Sequence, residues 1–437
     1  MPIATIALIL VILIGFLLMT FRILDQEITV PLVALISIIL AGPTEGYKSL
    51  HNGFAEFSKV ALLFTAVAIP AHMLESSGLF NFLGSKIGEL VGYLTLKFKM
   101  NTIFLISFIS IITTYVLAAL FHNTTSILVN SYIIYVVAKQ YKIPAAFILS
   151  GALIASNLGG FSTRWGDTPN IVESSVWGLK HIDFFKEILP VNIFLVIILT
   201  LIVFVITYLK YGKSYRVEKI VLAHSMIRFK TESRFMVLDI KLIFFGILSL
   251  TTAIVGSIIF PAYEVPLSAL GIIIAIVGTS PNKRKQSLYA LGIGTYFTLL
   301  SIFVLAQVFG HSKIGINGYI ESLLSKNSNS ILPVLWLSYL GTLSTEAASW
   351  ATAVSPIVYK IFPTHLGAWA LGAGICAGSS SLITAASAGI ILAHQTSNYE
   401  EGSRVDFPTY LKIGLLFSLF MLLFYSIILP LYINFIK

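Results

Sequence analysis

A chain of 437 residues that is 57% hydrophobic, 13% aromatic and only 11% charged cannot be a soluble domain of that length, because too few polar side chains are left to cover its surface. It reads as an all-α polytopic membrane protein. The formal net charge of +9 invites a nucleic-acid partner, but the basic residues are spaced as membrane-flanking charges. The single cysteine, Cys376, excludes a disulfide framework and most thiolate metal sites.

In chain order, the apolar run 3–21 lacks a basic leader and a small-residue cleavage site before a soluble domain, so residues 1–27 are expected to be a retained N-terminal span. Shorter apolar pieces at 28–41 and 60–74 follow, with His72 and Glu75 near the end of the second, where "ESSG" also reads as a helix end at the interface. The run 101–121 reaches the roughly 20 residues a helix needs to cross the hydrocarbon core, as do 188–209, 242–260, 286–309 and 413–436. Residues 213–240 form a basic linker, and Lys283, Arg284 and Lys285 fall on the same side, which is taken as cytoplasmic. That loop reads as a solvated connector near anionic head groups. The loops 42–59, 179–187 and 310–330 then fall outside, with few basic residues.

This count requires two apolar pairs not to cross. "LFHNTTS" (120–126) and "STEAAS" (344–349) are each read as the tip of a re-entrant hairpin whose far arm is only a dozen or so residues long. Asn123, Thr124 and Thr125 crowd the first tip and Ser344, Thr345 and Ser349 the second, all groups that compete for backbone hydrogen bonds. Each hairpin is followed by a second interruption. "SNLGGFSTRWGDTPNIV" (156–172) and "GAGICAGSSSLITAASAGIILA" (372–393) break helices with glycines and hydroxyl residues.

The two halves, 28–212 and 241–437, therefore share one plan. With an odd number of crossings in each, they are expected to be inverted repeats with a binding site at the midplane, the sequence pattern of a secondary transporter. A helix interrupted in the membrane exposes N–H groups at one half and C=O groups at the other. Carbonyls with Asn, Ser and Thr oxygens suit Na⁺, and N–H ends suit a carboxylate.

Ionisable residues at such depth are site candidates. Asp167 opens the second half of the first broken helix, as an ion or coupling group or as a helix cap. Glu346, at the second tip, suits reversible protonation, as does His122 at the first, which could equally cap the turn. Arg164 either neutralises Asp167 or Glu346 or anchors an anion. The expected substrate- or ion-binding set is Asp167, Glu346, Asn123, Thr124, Thr125, Asn170, Gly160, Ser380, Ser381 and Thr384, with Asn123, Asp167 and Ser381 the Na⁺ candidates. Motifs of zinc proteases, nucleophile-elbow hydrolases and phosphate-loop enzymes are missing from the sequence, so no catalytic residues are expected.

These residues resemble the ion transporter superfamily, which includes NhaD-type sodium/proton antiporters, arsenite-permease-like proteins and citrate and dicarboxylate carriers. "GDTPN" is similar to that family's GDPPN or GTPPN sequence, aligning Gly159, Gly160, Gly166, Asp167, Pro169 and Asn170. "HNTTS" is similar to the family's hairpin-tip SNT and DN motifs, and "LESSGLF" (74–80) and "VDFPTYLKIGLL" (405–416) also fit. The resemblance implies a scaffold and a mobile transport domain, a homodimer, an elevator-like cycle and no cofactor beyond coupling Na⁺ or H⁺.

Four positions depart from the family: Glu346 stands where it has Asp or Ser, Ala347 and Ala388 where many members have Asn, and Arg164 where a neutral residue is expected, which keeps an anionic substrate in play. Losing amides and gaining Glu346 favours carboxylates that trade a proton for a cation. The sequence reading is thus a monovalent cation/proton antiporter, with a Na⁺- or H⁺-coupled carrier of a small anion such as citrate, a dicarboxylate or arsenite as the rival. The expected location is the plasma membrane, a bacterial inner membrane, with lipid and a small ion as partners and no nucleic acid.

Overall fold

The computed structural model describes residues 3–20, 23–24, 26–211, 219–260, 263–280, 293–309, 317–345, 347–383, 385–397 and 399–436. Among them there is no strand. The helices are α1 (Ile3–Thr20), α2 (Gln26–Ala41), α3 (Pro43–Ser76), α4 (Leu79–Phe98), α5 (Thr102–Phe121), α6 (Asn123–Gln140), α7 (Ala146–Phe161), α8 (Thr168–Trp177), α9 (His181–Asp183) and α10 (Leu189–Tyr211). Then come α11 (Lys219–Phe235), α12 (Ile240–Leu250), α13 (Gly256–Ile259), α14 (Glu264–Gly278), α15 (Ile293–Phe309), α16 (Asn317–Ser325), α17 (Leu332–Thr345), α18 (Ala347–Ile361), α19 (His365–Ser379), α20 (Ser387–Thr396) and α21 (Phe407–Ile436). Two wide turns, Phe184–Ile188 and Thr251–Val255, join α9 to α10 and α12 to α13 without a break.

The helices Thr102–Phe121, His181–Tyr211 and Phe407–Ile433 are long and apolar enough to cross a membrane, and shorter apolar helices such as Ala146–Phe161, Val265–Gly278 and Leu332–Leu343 accompany them. The outer surface has the same character. Ile39 is 67% exposed, Leu209 73% and Leu416 69%, and aliphatic side chains laid bare in such numbers are stable only against lipid. The protein is therefore a polytopic helical membrane protein.

Burial inverts at the centre. Every residue of α7 is buried, as is α19 from Gly367 to Ser379. A helix that is apolar on all sides is stable only where other helices enclose it. α5 and α10 pack on α7, α17 and α21 pack on α19, and α7 meets α19 directly.

Small residues set these distances. A Cβ on Gly159 would collide with the backbone oxygen of Tyr115 in α5. In the second half, a Cβ on Gly378 would lie 2.8 Å from the backbone oxygen of Tyr339 in α17. The two halves thus repeat a local device, a tyrosine-bearing helix seated on a glycine of the broken one.

Several elements differ from the sequence expectation. Residues 43–59 of the expected outer loop 42–59 are the first half of a 34-residue helix, α3, which starts with Pro43 in its first turn, where proline is pre-organised for a helix. The arm beyond the first hairpin tip, α6, has 18 residues rather than a dozen. The basic linker contains α11, which lies along α4; Phe229 and Met226 fill the space left by Gly88 and Gly92, so this segment is packed and not merely solvated. Residues 317–325 of the expected outer loop are helical, and Lys283, Arg284 and Lys285 lie outside the described residues.

Candidate functional site

The first hairpin turns in one residue. α5 and α6 lie side by side, joined by His122 at φ 82° and ψ 141°, a backbone conformation that glycine favours and a histidine adopts only when its surroundings enforce it. What enforces it lies across the gap in α7–α8. The Asn123 N–H, which has no helical partner at the start of α6, donates to the Gly166 carbonyl at 3.0 Å. The Thr163 hydroxyl donates to the Ala119 carbonyl at 2.8 Å. Hairpin tip and helix break therefore complete each other's main chain.

Within the break, each group released from helical bonding has a designated partner. The Asn170 amide donates to the carbonyls of Gly160 at 2.7 Å and Thr163 at 2.6 Å, satisfying oxygens stranded at the end of α7. Asp167 caps α8, its Oδ1 accepting from the Thr168 N–H at 2.8 Å, and Pro169 occupies the first turn. Gly160 and Gly166 let the two strands of the break touch, since a Cβ on Gly166 would lie 2.5 Å from the Gly160 carbonyl.

Asp167 is the head of a polar chain. Its Oδ2 accepts from Asn123 Nδ2 at 2.9 Å; that amide also lies 3.5 Å from Asn157 Oδ1, and Asn157 Nδ2 donates to the Ser380 hydroxyl at 3.2 Å. The Thr124 hydroxyl is 3.3 Å from that of Ser387, at the start of α20. The His122 ring reaches the same carboxyl, with Nε2 3.9 Å from Asp167 Oδ1 and 3.5 Å from the Thr168 hydroxyl. One hairpin tip and two helix breaks from opposite halves of the chain thus converge on a cluster of amide, hydroxyl and carboxyl groups.

The second break is closed differently. The Ser379 and Ser380 hydroxyls donate to the Cys376 carbonyl, and that of Ser381 to the Gly378 carbonyl, all within the last turn of α19. The Ser380 carbonyl accepts from Tyr410 of α21 at 2.7 Å. Glu346 and Thr384 lie outside the described residues, and Thr125 lies in the first turn of α6. His72 lies in the last turns of α3, its Nε2 3.4 Å from the Ser76 hydroxyl.

Arg164 and Trp165 lie in the first break, half-buried. The Trp165 ring is 4.9 Å from that of buried His181, close enough to Arg164 for its charge to act on the imidazole. Trp165 Nε1 and both ring nitrogens of His181 are buried with no hydrogen-bond partner among the described residues.

Asn157, Ser387 and His181 are members of this neighbourhood that the sequence reading did not single out. Asn157 and Ser387 sat inside stretches already marked as breaks; a polar side chain in a charge-free run was their available signal. A further shell holds the end of α7. Asn192 of α10 donates to the Leu158 carbonyl at 3.1 Å and to the Ser162 hydroxyl at 2.9 Å, and it accepts from the Tyr425 hydroxyl of α21 at 2.6 Å.

A helical membrane protein that encloses interrupted helices, with a carboxylate and amides gathered at their ends, has the build of a membrane transport protein. The chain belongs to the citrate transporter (CitMHS) family, whose model matches residues 1–388, and with it to the ion transporter superfamily. It is similar to the magnetosome protein MamN of Magnetospirillum gryphiswaldense, 21% identical over 351 residues, 78% of this chain and 77% of that one. A shorter stretch of 83 residues, 19% of each chain, is 34% identical to a 46 kDa membrane protein of Mycobacterium leprae. Another of 82 residues, also 19% of each chain, is 33% identical to an uncharacterized transporter of Mycobacterium tuberculosis.

Proposed function

We propose that this protein is a Na⁺- or H⁺-coupled secondary transporter of a small anion, with citrate or a related carboxylate as the substrate class. The observation that carries the reading is membership of the citrate transporter family over a stretch that includes both helix breaks. It is supported by the character of the first break. Arg164 supplies a positive charge there, and beside it the buried Trp165 Nε1–H and the His181 ring lack partners; a carboxylate would accept from the indole and from one imidazole nitrogen.

In this scheme Asp167, Asn123, Thr124, Asn157 and Ser380 form the cation half of the site, and Arg164 with its neighbours forms the anion half. Glu346 and His122 are the proton candidates at the two tips. The halves 28–212 and 241–437 act as inverted repeats of a scaffold and a moving transport domain in a homodimer, in the plasma membrane of a bacterium.

The rival is monovalent cation/proton antiport, favoured by the pairing of the Asp167 carboxyl with Asn123 at 2.9 Å. Reconstituted vesicles separate the two. Labelled citrate accumulates when Na⁺ or H⁺ is supplied as a gradient, and Arg164→Ala raises the citrate KM by about 10–100-fold, the cost of one charged hydrogen bond. Proton flux driven by Na⁺ or Li⁺ with no anion added, together with no citrate, dicarboxylate or arsenite uptake, would establish antiport instead.

A further inference from the structure

Glu173 is the most enclosed carboxyl among the described residues. It sits on α8, is 0% exposed, and neither of its oxygens has a hydrogen-bond partner. α8 is wrapped by α18 on one side and α19 on another. Oε2 rests on the backbone of α19 at Gly372, where a Cβ would lie 2.7 Å away and would also collide with the Phe161 ring of α7. The space that Gly372 leaves empty is therefore the space the Glu173 carboxyl fills.

Among the described residues of α7, α18 and α19, the helices packed around this carboxyl, each cation is already paired elsewhere. α7 carries no titratable residue. α19 brings the buried Cys376 thiol, within electrostatic reach of both Glu173 and Asp167, while its His365, at the other end, is paired with Glu187 at 3.1 Å. α18 brings Tyr359, edge-on to Trp177 at 5.6 Å, and Lys360, which is ion-paired with Glu321. On α8 itself the other carboxyl is Asp167, six residues away or about 9 Å along the axis. An ionised carboxylate closed off without a donor costs several kcal/mol, so this pocket is completed by a proton or by a cation. The oxygens face an aromatic ring and a glycine, which offer no ligands for a metal ion but accommodate a neutral acid.

We infer that Glu173 is a proton-binding residue of the transport cycle, neutral while α8 is enclosed against Gly372 and Phe161 and able to release its proton only when that contact opens. The inference rests on the reading of the protein as a coupled transporter. It places the proton site about two helical turns from the cation cluster at Asp167, within one short helix. Protonation and cation binding can thereby be coupled through the position of α8 alone, since both groups ride on it.

The test uses the full-length protein in vesicles and two readouts. Wild-type labelled-citrate uptake is expected to change by up to about tenfold per pH unit where a single proton limits the rate. Glu173→Gln is expected to flatten that profile while retaining citrate counterflow, which needs no net proton movement. Infrared spectroscopy of the wild type is expected to show the C=O band of a protonated carboxyl shielded from deuterium at neutral pH, and Glu173→Gln is expected to remove it. A Gln variant with the wild-type pH profile, or a wild type without the shielded band, overturns the proposal; the second result decides even where the variant does not fold. A wild type that transports none of the anions would defeat the anion reading, and the infrared measurement would still decide Glu173.

Discussion

The two helix breaks, between α7 and α8 and between α19 and α20, are closed by different means. At the first, between α7 and α8, amide side chains do the closing, from α8 itself and from neighbouring helices. Asn170 reaches back to two carbonyls, Asn123 and Asn192 arrive from α6 and α10, and a carboxyl and a guanidinium share the gap. At the second, between α19 and α20, the serines bond to carbonyls of their own last turn, and the described residues of the gap carry no charge. The first break holds a carboxyl, a guanidinium and amides, whereas the described residues of the second hold hydroxyls and apolar side chains. The polar chain Asp167–Asn123–Asn157–Ser380 links the two breaks, running from the gap between α7 and α8 to the end of α19.

The comparison breaks most readily at the glycines that both halves use alike. Gly159→Ala drives a methyl into the backbone of Tyr115, which cannot move without displacing α5, whereas at Gly378 the nearest atoms are the Tyr339 carbonyl and Thr342 Cβ, both at 2.8 Å. Overpacking of this kind costs about 1–3 kcal/mol and more where the obstacle is main chain. Both variants are therefore expected to lower the unfolding temperature of the solubilised protein, Gly159→Ala by more. Equal or reversed shifts, read by the loss of monodisperse protein on heating, would mean that the first break is no more rigid than the second.

A smaller effect sharpens the same contrast. Asn170→Ala leaves the Gly160 and Thr163 carbonyls without their buried donor, at about 1–3 kcal/mol for each group left unpaired, while Ser381→Ala removes a hydroxyl that only supplements its own helix, worth about 1 kcal/mol or less. The Asn variant is expected to lose both thermal stability and citrate transport, and the Ser variant to keep its stability. A Ser381→Ala protein as impaired in stability as Asn170→Ala would show that the second break depends equally on side-chain closure.

How far these features could be read in the sequence depends on what made a residue costly. Asn123, Asp167 and Asn170 were legible because amides and acids inside an apolar run have no place there unless they are used, and the structure brings all three to one gap. Glu173 was not. It follows the break in "NIVESSVW", where polar residues read as the exposed side of a short helix, and only the long-range wrapping by α18 and α19 buries it. The helical character of 43–59 was hidden for the converse reason. Its polar residues suggested a loop, although a proline in the first turn followed by residues tolerant of helix continues α3 without interruption. The proximity of the two breaks is a tertiary fact that local pattern could only suggest by repetition.

The smallest expected effect comes from a contact that joins the same halves at the surface. Lys139, in the last turn of α6, pairs with Glu400 beyond α20 at 2.7 Å, with both side chains more than half exposed. The hydrogen bond to that carboxylate raises the Lys139 pKa above its ordinary value. Whatever stability the pair contributes is thus fully present throughout neutral pH and is lost only as pH climbs through the raised value in strongly alkaline solution. Salt, not pH, is the relevant lever, because water and counter-ions screen an exposed pair of this kind. Lys139→Ala is accordingly expected to leave the unfolding temperature and citrate uptake unchanged at physiological ionic strength. A clear loss of transport in that variant would mean that the halves communicate through their rims as well as through the buried chain from Asp167 to Ser380, and the division of labour between the breaks would have to be shared with the surface.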